Sequence, residues 1–312
     1  MIASIRSDGA KLFTDNQLIT KAPAERIKPL EVVIAPSKGW LRVPWRELWA
    51  YRDLFWQFVR RDFSVKYRQT LLGPLWFVLQ PLMMTAVFTV VFGRLARLPT
   101  DHTPPVLFYL CGLLSWTYFA QTMPAVSATF TGNAHLFEKI YFPRLTVPLS
   151  QLVGNFVALG IQFGTFAALW GFYWVTSPEP IQMSLPWYAA IPVVLFSQLQ
   201  IMFLAFGVGL NLAAATGKYR DLQHVLPVLV QLWFYATPVV YPLSMISREA
   251  NWRWVATLNP MTAPVEGFKL ALLGESSWTL PLALGAWVTT LIFLLLGLSA
   301  FSRAERTVID VT

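Results

Sequence analysis

Long apolar runs separated by short polar segments dominate the chain from residue 72 onward. A helix needs about 20 apolar residues to cross the hydrocarbon core of a bilayer, and six runs meet or approach that length. They cover residues 72–93, 105–130, 149–175, 187–214, 225–242 and 279–301. The pattern therefore predicts an all-α integral membrane protein with six transmembrane helices.

The fifth run is short, and prolines interrupt its continuation in PVVYPLSMI (238–246). A proline lacks the backbone donor that an α-helix requires, so it bends or ends the helix. Residues 243–277 then mix apolar side chains with Arg, Lys and Glu. We expect short re-entrant helices at the membrane edge between spans five and six, rather than a seventh span.

Residues 45–70 precede the first span and predict an amphipathic helix that lies in the membrane interface. One face carries mainly Trp and Phe, and the other carries mainly charged and polar side chains. Gly73–Pro74 predicts a bend between this helix and the span. A simpler interpretation, in which the basic residues only fix the topology, is also open. The charges nearest to the span are Arg60, Arg61, Asp62, Lys66 and Arg68.

These patterns divide the chain into four predicted parts. Residues 1–44 form a cytoplasmic extension, residues 45–70 the interfacial helix, residues 71–302 the six-span domain and residues 303–312 a cytoplasmic tail. Composition supports a membrane protein, because 55% of the residues are hydrophobic and only 13% are charged. Soluble domains carry about 25% charged residues.

The basic residues predict how the chain is oriented. More than half of the Lys and Arg residues lie within the first 73 positions, directly before the first span. A basic segment could bind nucleic acid, but this position favours retention on the cytoplasmic side, next to membrane lipids. We therefore expect both termini in the cytoplasm and no nucleic-acid partner. The basic residues of 243–277 are the exception to this orientation.

Few residues along the chain are candidates for catalysis, ion transfer or metal binding. The central parts of the six runs contain no Asp, Glu, Lys or Arg, although such residues usually mark proton and ion pathways. No G-x-x-x-x-G-K-[ST] motif is present, and the three histidines are too scattered for a metal site. We expect no catalytic residue and no metal ligand. The outer loops offer a few acidic residues without a convincing pair, so a membrane glycosyltransferase or polymerase stays an alternative.

Four segments, taken in their order relative to the spans, carry a resemblance to a known family. They are RRDFSVKYRQTLLGPLWFVLQPL (60–82), EKIYFPRLTVP (138–148), KYRDLQHVLPVLVQLWFYATPVVYP (218–242) and LNPMTAPVEGFK (258–269). Together they resemble the membrane subunit of bacterial ABC exporters for polysaccharides, the permeases for O-antigen, capsule and teichoic acid. The resemblance covers residues 45–302.

The resemblance implies a homodimeric permease of the bacterial inner membrane, driven by two copies of a separate ABC ATPase. ATP and Mg would bind to that ATPase, and this chain would bind no cofactor. The loop 138–148 resembles the coupling helix of the family, and the loop 217–221 would add a smaller contact. The expected ATPase-coupling residues are Glu138, Lys139, Ile140, Tyr141, Phe142, Pro143, Arg144, Tyr219, Arg220 and Asp221.

Aromatic side chains within the spans suggest how a sugar polymer would pass. Sugar rings stack on aromatic faces, while Tyr and Trp add hydrogen bonds at their polar edges. The candidate lining residues are Phe88, Phe92, Tyr109, Trp116, Tyr118, Phe119, Trp233, Phe234 and Tyr235. With the resemblance, this indicates export of a lipid-linked polysaccharide from the cytoplasm. The same architecture moving a drug or a small lipid is an alternative.

Overall fold

The computed structural model describes residues 45–67, 70–177, 185–246, 253–274 and 276–309. All regular elements among these residues are helical. The predicted extension 1–44 and Arg68 lie outside the described residues, as does the Lys66 side chain. The α-helices are α1 (Trp45–Ala50), α2 (Arg52–Tyr67), α3 (Trp76–Phe88), α4 (Pro105–Ser127), α5 (Thr129–Gly132), α6 (Ala134–Lys139), α7 (Thr146–Thr176), α8 (Trp187–Lys218), α9 (Leu222–Ala236), α10 (Arg253–Leu258), α11 (Thr262–Leu273) and α12 (Leu280–Ile309).

Five helical segments of the described chain are long and apolar enough to cross a membrane, whereas the sequence predicted six. They are Gly73–Leu95, Pro105–Ser127, Thr146–Thr176, Trp187–Lys218 and Leu280–Arg306. The predicted fifth run instead forms α9, which has 15 residues. At about 1.5 Å per residue, such a helix falls short of the bilayer core. Irregular chain follows it, because Pro238 and Pro242 prevent the helix from continuing.

Helix α2 packs on α7 rather than lying free beside the bundle. Phe58 and Val59 are buried, and Phe58 clusters with Phe142 and Val147 of the following segments. Protein therefore covers part of the face for which the sequence predicted contact with lipid. Trp45, Trp49 and Trp56 are exposed.

A turn at Gly73 joins the segment after α2 to the first span. Gly73 has a φ of +51°, in the left-handed region that a glycine adopts without a steric penalty. A short 3₁₀ turn, Gly73–Leu75, leads into α3. Past Phe88 the same helix continues as π-helix over Thr89–Leu95. The predicted bend thus coincides with a turn of defined geometry.

Helix α4 lies at the centre of the bundle and packs on α7, α8 and α11. Close helix approaches occur at several glycines. A Cβ atom on Gly209 of α8 would lie 2.7 Å from the Val126 side chain of α4. Small residues of this kind let helices in a membrane pack backbone to backbone.

The bundle has two ends with different chemistry. At the first, α6, the start of α7, the end of α8 and the end of α12 meet; Phe130 stacks on Phe301 at 4.8 Å. We call it the basic end, because Arg144, Lys218 and Arg303 lie there. Helix α9 begins at the basic end, since Gln223 donates a hydrogen bond to Thr131. The opposite end holds the segment between the π-helical turn and α4, and the loop before α12.

Candidate functional site

A groove with a volume of about 630 Å³ lies between α3, α4, α7 and α9. Ser127 and Gln223 line it near the basic end, and Leu113 and Phe234 line it deeper in the bundle. All of its described lining residues are uncharged. The groove is therefore suited to neutral groups that combine polar and apolar surface.

Five glutamines from four helices contribute the amide groups of the groove wall. Three of these amides bond to neighbours: Gln162 accepts a hydrogen bond of 2.7 Å from Thr117, Gln223 donates to Thr131, and Gln231 donates to the Tyr235 hydroxyl at 3.5 Å. Held in this way, an amide still has donor and acceptor capacity for a further partner. The five are Gln80, Gln121, Gln162, Gln223 and Gln231.

Aromatic rings lie at the inner end of the groove. The Phe234 ring centroid is 5.7 Å from that of Phe88 and 5.4 Å from that of Trp116. Both separations are typical of rings in direct contact. The groove therefore combines amide groups along its length with a cluster of aromatic rings at mid-bundle.

The structure places four of the nine candidate aromatic residues, Phe88, Trp116, Phe234 and Tyr235, on the groove wall. The other five make contacts elsewhere in the bundle, and their place on an export path stays a prediction. Tyr109 and Phe119 are fully buried in the core, and Phe92 packs on the Phe88 ring. Tyr118 donates a hydrogen bond to the Leu152 carbonyl oxygen, and Trp233 donates one to Asn259. These helices are apolar on all sides, so helical periodicity could not separate core from groove.

The loop 138–148, which was expected to resemble a coupling helix, is helical only in part. Helix α6 ends at Lys139, and Ile140 continues as extended chain. Ile140 and Tyr141 are exposed, at 55% and 58%. Phe142 is only 4% exposed and packs on Phe58 and Phe137, with ring centroids 5.5 Å away in each case. Phe142 is thus covered within the single chain, and its role as a docking anchor stays a prediction. The adjacent Pro143 is also buried.

Arg144 is held within the chain rather than presented at the rim of the loop. It donates a hydrogen bond of 3.0 Å to the Glu305 carbonyl oxygen at the end of α12. Its guanidinium lies 5.3 Å from the Phe137 ring centroid. Burial lowers the pKa of Arg144, whereas the Glu305 and Tyr141 charges oppose that shift. Arg144 thus joins the coupling loop to α12.

Tyr141 has acidic neighbours that the sequence did not indicate. Burial raises the pKa of Tyr141, and the charges of Glu47 and Glu305 raise it further. The ends of α1 and α12 therefore lie next to the loop. Glu138, Lys139, Tyr219, Arg220 and Asp221 are exposed at the basic end, where the Lys218 ammonium lies 5.1 Å from the Tyr219 ring centroid.

Some of the charged side chains of α2 form contacts within the chain. Arg61 pairs with Asp62 at 2.8 Å, and its guanidinium lies 4.8 Å from the Phe58 ring centroid. Asp62 also accepts a hydrogen bond from Gln151 of α7. Arg60 is exposed. Asp62 therefore ties α2 to α7, a contact between distant segments that the sequence alone did not reveal.

A buried ion pair in α11 was also missed, because this segment was expected to form short helices at the membrane edge. Lys269 and Glu266 are 3.1 Å apart, and each side chain is 2% exposed. Lys269 also donates hydrogen bonds to the carbonyl oxygens of Pro238 (2.6 Å) and Tyr241 (3.3 Å). Glu266 accepts hydrogen bonds from the Ser276 hydroxyl (2.8 Å) and the Ser277 backbone N–H (2.9 Å).

Comparison with known proteins identifies relatives along most of the chain. A family described as ABC-2 type transporter matches residues 53–273. The O-antigen export system permease protein RfbA of Myxococcus xanthus is 32% identical over 228 residues, which cover 72% of this chain and 82% of the relative. RfbA of Klebsiella pneumoniae is 28% identical over 255 residues, covering 81% and 92%. The polysialic acid transport protein KpsM of Escherichia coli is 24% identical over 251 residues, covering 79% and 91%.

Proposed function

This chain belongs to the ABC-2 type transporter family, and we propose that it is the permease subunit of an ATP-driven exporter of lipid-linked polysaccharide. Relatives named as O-antigen export and polysialic acid transport proteins support a polysaccharide as the cargo. Its role is transport, and a separate ABC ATPase hydrolyses ATP with Mg. Membership of a transporter family favours this function over the glycosyltransferase alternative.

The groove is the observation that carries this proposal. Its wall combines amide groups with aromatic rings, which are the two kinds of surface that bind sugars. It lies near the basic end, where the positive-inside rule places the cytoplasm. A polysaccharide made in the cytoplasm would enter there and pass the rings of Phe88, Trp116 and Phe234 on its way outward.

The chain spans the inner membrane several times, and we place both termini in the cytoplasm. A sixth crossing is supported by the path after α9. Helix α9 begins at the basic end, and Ser244, which follows it in the chain, donates a hydrogen bond of 2.9 Å to Asp101 at the opposite end.

Phe268 of α11 reaches Phe163 inside the bundle, with ring centroids 5.8 Å apart, which supports a re-entrant path for α10 and α11. Trp45, Trp49 and Trp56 support an interfacial position for α1 and α2.

We propose a homodimer with two ATPase copies docked at the basic ends. Apolar side chains beside the groove, such as Met83 and Val87 of α3 and Val228 and Leu232 of α9, are exposed in the single chain. A second copy would cover these side chains and close the groove into a path. Ile140, Tyr141 and Tyr219 form the exposed apolar part of the docking surface.

Export should depend on the ATPase and not on an ion gradient. In vesicles that contain both subunits and lipid-linked glycan, we expect transport with ATP to continue after an uncoupler dissipates the proton gradient. Transport should stop when the ATPase is omitted. Transport by the purified chain alone under an imposed pH gradient would refute the proposal.

Replacing Ile140 and Tyr141 by alanine should weaken ATPase docking by about 2 kcal/mol, because both are exposed apolar anchors. The permease should still insert and fold, since neither side chain packs in the core. Co-purification of the two subunits measures the effect. Tyr188→Ala is the matched control, because Tyr188 is 66% exposed but lies in the first turn of α8 at the opposite end. Equal recovery of ATPase with both variants would contradict this docking surface.

A further inference from the structure

We infer that the five groove glutamines form a sugar-binding subsite that takes an uncharged stretch of glycan and disfavours an acidic one. This inference rests on the proposed function, which it makes more specific. The relatives do not settle the point, since one of them is named for polysialic acid, an acidic polymer. The chemistry of the groove wall distinguishes the two kinds of cargo.

The amides are placed along the groove rather than at one point. Gln223 and Gln231 lie eight residues apart on α9, which is about 12 Å along the helix axis. Gln80, Gln121 and Gln162 face them from α3, α4 and α7. A glycan in the groove would therefore meet amide groups along its length and from several sides.

Each amide can both donate and accept hydrogen bonds, and so can each sugar hydroxyl. A neutral glycan thus exchanges water for amide partners whichever way its hydroxyls point. A sugar carboxylate is different, because it must lose the hydration of a full charge. Neutral amide donors replace that hydration only in part. With every described lining residue uncharged, the wall favours the neutral glycan.

Two of the amides, those of Gln80 and Gln121, are available for a ligand. By contrast, Gln162 and Gln223 bond to the threonines beside them. Gln80 and Gln121 make no side-chain hydrogen bond among the described contacts, and neither is buried. An amide within membrane helices gains little from packing against lipid, so a polar ligand is the partner that explains its position.

The aromatic end of the groove complements the amides. A sugar held by its hydroxyls near Gln121 would have its C–H face free to stack on Trp116 or Phe234 farther inward. The amides would therefore bind and align an incoming neutral segment, and the rings would receive it next. This order gives the glutamines a role in cargo selection as well as in transport.

The test uses the full-length permease with its ATPase in lipid nanodiscs. Binding of two probes, mannotetraose and the tetramer of sialic acid, is measured by saturation-transfer NMR. We expect the wild-type protein to bind mannotetraose at least about tenfold more tightly. The double variant Gln80→Leu/Gln121→Leu should lose about tenfold in mannotetraose affinity, because two neutral hydrogen-bonding groups are removed. Gln57→Leu is the matched control, since Gln57 is exposed on α2, away from the groove.

An ATP-dependent export assay in vesicles separates the possible outcomes. If wild-type protein exports a neutral lipid-linked glycan and the double variant loses both binding and export, the inference holds. If the wild type exports but the double variant binds and exports equally well, the glutamine subsite is wrong and the proposed function stands. Equal or tighter binding of the sialic acid tetramer overturns the preference for neutral cargo. If the wild type moves no glycan, the proposed function fails and the inference fails with it.

Discussion

Replacing Lys269 by methionine is expected to destabilise the folded chain by about 3–5 kcal/mol, because it leaves Glu266 charged and buried without its cationic partner. Both side chains are 2% exposed, so water cannot take the place of the ammonium. The carbonyl oxygens of Pro238 and Tyr241 would lose a donor as well. The irregular chain after α9 would thereby lose the contact that fixes it to α11.

The effect can be measured as unfolding of the purified protein in mixed micelles, with the amount in the membrane as a second readout. The variant Lys269→Met/Glu266→Leu removes both charges and should recover part of the loss, since no ion is then left unpaired. Arg52→Met is the control, because the Arg52–Asp53 pair is 3.9 Å apart and largely exposed. It should change the stability by less than about 1 kcal/mol. Wild-type stability of Lys269→Met would show that the pair is not a structural anchor.

Much of the fold could be predicted because a bilayer imposes a simple rule on sequence. A helix that crosses must be apolar over about 20 residues, and five of the six predicted runs could be identified as long helices on that basis alone. The run 225–242 satisfies the same rule, although its helix ends at Ala236 and irregular apolar chain follows. Pro238 indicated the break, but composition could not show that Thr237–Tyr241 would stay buried or half-buried without a helix.

Contacts between distant segments could not be predicted in the same way. Phe142 was expected to be a docking anchor because the loop resembles the coupling helix of the family, but the return of α2 onto α7 covers it with Phe58 in the single chain. Glu266 and Lys269 did leave a signal: opposite charges three residues apart share one face of a helix. The short helices that were expected at the membrane edge did not require these two charges to be buried.

The sequence predicted aromatic rings along an export path, but it did not indicate this groove. Rings suited to sugars were expected, and Trp116 and Phe234 lie on the wall. The amides were overlooked, although glutamines in four separate helices are unusual among otherwise apolar residues. Only the packing of α3, α4, α7 and α9 brings them to one surface.

Replacing Gly297 by alanine is expected to destabilise the bundle by about 2–3 kcal/mol, the upper part of the range for overpacking. Helices α8 and α12 cross here with backbone against backbone. A Cβ atom on Gly297 would lie 2.3 Å from the Gly207 carbonyl oxygen and 3.0 Å from the Asn211 side-chain nitrogen. Asn211 donates hydrogen bonds to the carbonyl oxygens of Gly207 (2.8 Å) and Phe293 (2.9 Å), so the added methyl also disturbs these bonds.

The same substitution at Gly285 provides a control on the same helix, because a Cβ atom there meets nothing within 4 Å. Alanine at Gly285 should leave the stability unchanged or raise it by up to about 1 kcal/mol through helix propensity. Thermal unfolding and export are measured for both variants. Since α12 also carries Glu305, whose carbonyl oxygen holds Arg144 beside Tyr141, a displaced α12 shifts the docking surface. Export by Gly297→Ala should therefore fall further than its amount in the membrane. If both variants match the wild type, α8 and α12 do not pack through these glycines.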